Sequence, residues 1–237
     1  MKKIFKSKAY GMTLTELSIV LAILGILIVA GISGKFLIDV SRATTTIQQL
    51  SDRTLAFRVF FTSYDCLPGD CVDANVKIQS TLEMNGNGDG AINVYGVVVN
   101  KNEVAFVEEH LTKSKLLNKT INYTGIDYTK IALNNFLPNT KIAGGFISTI
   151  SSGGNMYNIV GAFSPMNATA PDILNFSPVN ATVLKIVDQK IDDSIANAGN
   201  VKCYTAPFTT TSDVVVFPIP VADYSTDCVL SALVDVK

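Results

Sequence analysis

The chain has 237 residues and a formal net charge of −1, with 48% hydrophobic and 16% charged residues. That length builds one good-sized core plus an extra element, and the near-neutral charge gives no basic surface for nucleic acid. A single histidine and the lack of G-x-S-x-G, H-E-x-x-H or phosphate-loop patterns argue against a periplasmic enzyme.

The N-terminus opens MKKIFKSKAYG, with Lys2, Lys3, Lys6 and Lys8 and no acid. From Leu17 to Gly34 the chain is uncharged and mostly apolar. A bilayer needs about 20 such residues, so this stretch with its slightly polar flanks, about 14–36, is long enough to span it. The lysines ahead of it place the N-terminus in the cytoplasm and the rest outside. A secretory signal peptide would have a shorter apolar core and a small-x-small cleavage site. Glu16 separates this pattern from a plain signal anchor. A carboxylate at the edge of hydrocarbon is costly and calls for a partner. A cut after Gly11 would supply one, because the new α-amino group of Met12 would lie one helical turn away, where the helix dipole disfavours a cation. The plainer use of Glu16, as a helix-starting acid beside Thr13 and Thr15, explains the residue type but not its place next to the Gly-Met junction.

Beyond the apolar run, Val40, Ala43, Ile47, Leu50, Phe57 and Phe61 follow 3,4 spacing, with Thr54 in the missing step. One helix over 12–63 is expected, about 78 Å long at 1.5 Å per residue, half in lipid and half with its apolar stripe on a globular domain. DCLPGD, Asp65 to Asp70, is a turn that ends it. The four cysteines allow three connectivities among which the sequence does not choose. The preferred set is Cys66–Cys71 with Cys203–Cys228 on the oxidising side of the membrane, with free buried thiols as the alternative. In NGNGDGAIN, Asn85, Asn87, Asp89 and Gly90 match the first half of a calcium loop, but the twelfth position is Gly96 rather than Glu. A plain Gly/Asn turn accounts for the same residues.

A second helix is expected over 103–118, with Val104, Val107, Leu111 and Leu116 inward and His110 facing solvent. FISTI at Phe146–Ile150 and MYNIVGAF at Met156–Phe163 read as strands. A third helix is expected over 178–194, with Asp192 and Asp193 as its end turn. VVVFPIP and CVLSALVDV read as closing strands.

The string GMTLTE at Gly11–Glu16, with a basic leader before it and an apolar helix after it, resembles the cleavage and methylation signature of type IV prepilins and type II secretion pseudopilins. The resemblance implies cleavage between Gly11 and Met12 by a prepilin peptidase, N-methylation of Met12, and guidance of subunit docking by Glu16. Met12 stands where many members have Phe. LPGD, NGNGDG, EEHL and DQKIDD followed by Gly-Asn-Val also resemble a subgroup of prepilin-like proteins of about this size. Ser194 stands where that subgroup usually has Gly, which counts against calcium in that loop. The resemblance implies an α+β fold, the long helix against an antiparallel sheet, with Cys203–Cys228 closing the C-terminal region.

The expected organisation is a cleaved leader 1–11, the long helix 12–63 and a periplasmic or extracellular domain 64–237. The expected function is that of a filament subunit anchored in the inner membrane, with other pilin or pseudopilin subunits as partners through the N-terminal helix. A membrane-anchored binding or adhesin module that never enters a filament is the alternative. No cofactor is expected other than calcium at Asn85, Asn87 and Asp89.

Overall fold

The computed structural model describes residues 12–80, 84–93, 103–118, 137–142, 145–152, 154–163, 176–205, 209–211, 214–217 and 220–235. The leader 1–11, with the Gly11 side of the expected cut, and Gly96 lie outside them, as does much of the strand region expected over 120–176. Helix α1 runs Leu14–Tyr64, and two compact units divide the chain at Val40 and Ser41. In the first unit the helix is apolar on all sides, with Leu17, Leu21, Ile26 and Leu27 all exposed. Its most apolar window has a mean hydropathy of 2.6, and none of that window is buried. It is long and apolar enough to cross a membrane.

The second unit is α+β. Besides the rest of α1 it holds α2 (Ala74–Lys77), α3 (Glu103–Lys113) and α4 (Ala181–Ile191). Its strands are β1 (Gly145–Ser152), β2 (Asn155–Phe163), β3 (Phe176–Ser177), β4 (Val201–Tyr204), β5 (Thr209–Thr211), β6 (Val214–Val216) and β7 (Val229–Val234). The sheet order is β1-β2-β7-β4, every neighbour antiparallel, with β3 also paired to β2. β1 and β2 form a hairpin in register from Gly145↔Ala162 to Ser152↔Asn155, and Gly154 takes the positive φ its turn requires. β5 and β6 pair separately. The described residues therefore form an α+β fold with a long N-terminal helix and an antiparallel sheet, as expected.

The buried stripe of α1 is Ala43, Thr46, Leu50, Arg53, Phe57 and Phe60, again at 3,4 spacing. It is rotated from the expected one. Phe61 is 40% exposed, Phe60 is fully buried, and the steps filled by Ile47 and Thr54 are only half-buried. The rotation follows from Arg53, which turns inward to a partner on α3. α3 is buried at every position from Glu103 to Leu111, not on one face. It stops at Lys113 rather than near 118 because Lys115 takes a left-handed conformation. Leu116 N–H then bonds Leu111 O and Lys115 N–H bonds Thr112 O, a Schellman closure that turns the chain back and half-buries Leu116. α4 starts at Ala181 because Asn180 caps it, its side chain accepting from Val183 N, while Val179 pairs with Cys228 in an isolated antiparallel bridge.

Candidate functional site

At the start of α1, Thr13 and Glu16 form a capping box. Thr13 N–H and the Thr13 hydroxyl each donate to Glu16 Oε2 at 2.8 Å, and Glu16 N–H reaches Thr13 Oγ1 at 3.3 Å. Leu17 N–H bonds Thr13 O, the first turn of the helix. Met12, 68% exposed, precedes the cap by one residue. Glu16 therefore occupies two donors of its own chain, next to the position a freed Met12 amine would take. Of the two local uses foreseen in the sequence, the structure shows the helix-starting one, with Thr13 as the partner.

In the second unit, the segment 84–93 wraps around two carboxylates from distant parts of the chain. Asp70 accepts from Gly88 N at 2.6 Å, Asp89 N at 3.1 Å and Gly90 N at 2.8 Å. Glu103, at the start of α3, accepts from Asn87 N at 3.1 Å and Asn93 N at 2.9 Å. Asp89 Oδ2 receives the Asn87 and Asn93 side-chain amides, and its Oδ1 receives Ala91 N–H. Gly86 packs so closely on the Asp70 backbone that a Cβ there would lie 2.2 Å from its carbonyl carbon. One oxygen each from Asp70, Asp89 and Glu103 lie within 4.8 Å of one another. Burial, opposed by the two backbone donors and helped by the Asp70 and Asp89 charges, pushes Glu103 up to about 7. Of the residues read as calcium ligands, Asp89 joins this cluster. Asn85 instead turns to Asn75, accepting from its N–H and donating to its side chain, and Asn87 bonds within the loop. Every carboxylate oxygen of the cluster already accepts a hydrogen bond, so the loop closes on its own donors.

His110 anchors the same region from beneath. It is fully buried, not solvent-facing as expected. Its Nδ1 accepts from Gly69 N at 2.8 Å and its Nε2 lies 2.8 Å from Met84 O, so the neutral ring joins the turn after α1 to the start of the loop. Burial holds its pKa down at about 4, against the weaker pull of the Met84 carbonyl. Gly69, at φ +96°, lets that turn lie against α3, where a Cβ would come within 2.7 Å of Glu103 O. Sequence reading found the Gly/Asn loop but not Asp70, Glu103 or His110 as its supports, because 33 residues separate Asp70 from Glu103 and no local pattern links them.

The cysteines pair as Cys66–Cys71, across the turn after α1, and Cys203–Cys228, between β4 and the residue preceding β7. Among the described residues no cysteine is free.

Residues 6–32 match the family model for the prokaryotic N-terminal methylation motif. No curated protein and no solved structure matches the chain.

Proposed function

We propose that this chain, which matches the prokaryotic N-terminal methylation motif over residues 6–32, is a prepilin-type precursor of a structural subunit, major or minor, of a type IV pilus or type II secretion filament. In this reading a prepilin peptidase cuts between Gly11 and Met12 and the Met12 amine is methylated. The observation that carries it is the match over residues 6–32, which takes in the start of an exposed apolar helix with Glu16 in its first turn. The mechanism is assembly rather than chemistry. The chain waits in the inner membrane, N-terminus in the cytoplasm and the second unit in the periplasm, where disulfides persist. On assembly Glu16 exchanges the Thr13 donors for the Met12 amine of a neighbouring subunit. The apolar helices then bundle as the filament core, leaving the second unit outermost.

Intact-mass and N-terminal analysis of the full chain, from membranes of cells with a prepilin peptidase, tests the processing. A chain beginning at Met12 and one methyl heavier is expected, and a chain retaining Met1–Gly11 refutes it. Glu16→Ala is expected to be inserted and cut normally but left out of filaments; normal incorporation removes the docking role.

One observation favours the second reading, an anchored binding module. A groove of about 700 Å³ is lined by Phe61, Val72, Met156 and Leu233, with Asp65 and Lys77 beside them. That reading needs no cleavage, so the same mass measurement separates the two.

A further inference from the structure

We propose that a small cavity on the sheet face turned away from α1 binds the carboxylate group of a small organic acid, with Lys202 and Tyr157 as the groups that hold it. The cavity has a volume of about 110 Å³, and Asn155, Tyr157, Lys202, Tyr204, Ser231 and Leu233 are among the residues that line it.

Strand register brings these side chains together. In antiparallel strands directly opposite residues share a face, and so do alternate residues along each strand. Lys202 lies opposite Ser231, Ser231 opposite Ile159, and Leu233 opposite Tyr157. Tyr157, Lys202, Tyr204, Ser231 and Leu233 therefore stand on one face, across β2, β4 and β7. The other face carries Thr149 and Asn158, which bond Arg53 and Thr54 of α1.

The cavity offers donors that the protein itself leaves unused. Lys202 and Tyr157 are both half-buried. Among the described residues, neither the Lys202 ammonium nor the Tyr157 hydroxyl makes a hydrogen bond or ion pair. No acid lines the cavity. Asp192, in the loop before β4, has its Oδ2 committed to the N–H groups of Asn200 and Val201. A partly desolvated cation beside neutral donors, with no anion to offset it, suits an anionic guest. The Tyr157 ring is held in place by Phe217, edge-on at 5.0 Å, and Phe217 also packs on Tyr204 at 5.4 Å. Ser231, 1% exposed, bonds the Tyr204 hydroxyl and so fixes the second tyrosine.

Charge and size select the guest. One positive charge among neutral donors matches a singly charged carboxylate, whereas a phosphate dianion calls for an Arg fork or a backbone nest. A volume of about 110 Å³ is room for about three or four waters at about 30 Å³ each, enough for a carboxylate and its first carbons. The rest of the molecule would lie over Leu233, 38% exposed and directly across from Tyr157. The site belongs to the second unit and serves a filament subunit and an anchored module alike.

The test uses the full chain in detergent micelles near neutral pH, with isotope-labelled tyrosine rings. It is titrated with sodium glucuronate or with sodium butyrate while sodium chloride holds the ionic strength constant. A saturable shift of the Tyr157 resonance, identified by its absence from Tyr157→Phe, is expected, with Kd on the order of 1 mM for one charge-assisted and one neutral hydrogen bond. Lys202→Gln, at an unchanged melting temperature, is expected to weaken binding about tenfold or more. Tyr157→Phe, read on the Tyr204 resonance, should weaken it about fivefold. Lys185→Gln, on the exposed side of α4, should leave it unchanged. Binding of glucuronate alone identifies an acidic sugar as the source of the carboxylate, binding of butyrate alone an acyl acid, and binding of both a site that reads the carboxylate only; each supports the proposal. No saturable shift with either up to about 50 mM overturns it, as does an affinity that Lys202→Gln leaves unaltered or that Lys185→Gln lowers equally.

Discussion

Replacing Glu108 by alanine removes the carboxylate that faces Arg53 inside the second unit. Both side chains are almost wholly buried, Arg53 at 2% and Glu108 at 1% exposure, and the guanidinium Nη2 pairs with Glu108 Oε1. Arg53 Nε–H also donates to Thr149 Oγ1 at 2.6 Å, and the Thr149 hydroxyl donates to Asn158 Oδ1 at 2.7 Å. Helix α1, helix α3 and strands β1 and β2 therefore meet in one polar chain, with the Arg53 guanidinium 5.8 Å above the Phe57 ring. Arg53 Nη1 has no acceptor, so Glu108 supplies most of the compensation for the buried charge. Removing one partner of such a pair costs about 3–5 kcal/mol, because the other charge is left uncompensated. A cleft of about 320 Å³ bordered by Gln49, Asp52 and Leu117 lies beside the pair. Water drawn into it puts the expected cost at the lower end, about 3 kcal/mol. The double variant Arg53→Met/Glu108→Leu removes both charges and is expected to recover most of that loss. With no tryptophan in the chain, urea unfolding of the full protein in micelles is best followed by circular dichroism. A Glu108→Ala cost below about 1 kcal/mol, or a double variant as unstable as the sum of its singles, would refute the reasoning.

The single histidine makes its titration readable without assignment: the His110 ring resonance should stay neutral at pH 5.5 and titrate near 4, and a midpoint near 6.5 would mean it is not buried as described. The unfolded chain takes that proton near 6.5 and the folded one near 4, so the histidine's contribution of about 3 kcal/mol is full above 6.5 and lost as pH falls toward 4. Glu103 works in the opposite sense between 4.5 and about 7, which is why the resonance rather than a melting curve is the clean measure. Cys203→Ser with Cys228→Ser should cost about 3–4 kcal/mol by the loop-entropy argument, against about 2 kcal/mol for the short Cys66–Cys71 loop, and equal losses in denaturant melts would contradict it. Thr13→Ala should remove about 1 kcal/mol of helix capping and, if Glu16 must leave Thr13 to dock, should not slow filament incorporation; a variant cut normally but excluded from filaments would assign Thr13 a docking role of its own.

Features written along the chain at short range were legible without a structure. The basic stretch, the uncharged run and Glu16 beside Gly11-Met12 follow one another within the first 34 residues, so order and spacing alone carry the match to the methylation motif. The hairpin strands around FISTI and MYNIVGAF showed as apolar runs between Gly and Asn, and the chain does fold as a long helix with an antiparallel sheet. What periodicity could not supply was the partner. It placed a stripe on α1 but missed its rotation, because Arg53 is buried only through a glutamate 55 residues further on. His110 reads as a surface residue until Gly69 and Met84 are brought to its two nitrogens. Lys202 reads as an ordinary charge in a short strand; only the pairing of β2, β7 and β4 sets it on one face with Tyr157 and Ser231. The membrane-side signal is a property of residue order, set by hydropathy and charge summed over neighbours. The polar sites of the second unit are properties of burial, which depends on every element that covers them, and only the tertiary structure decides that.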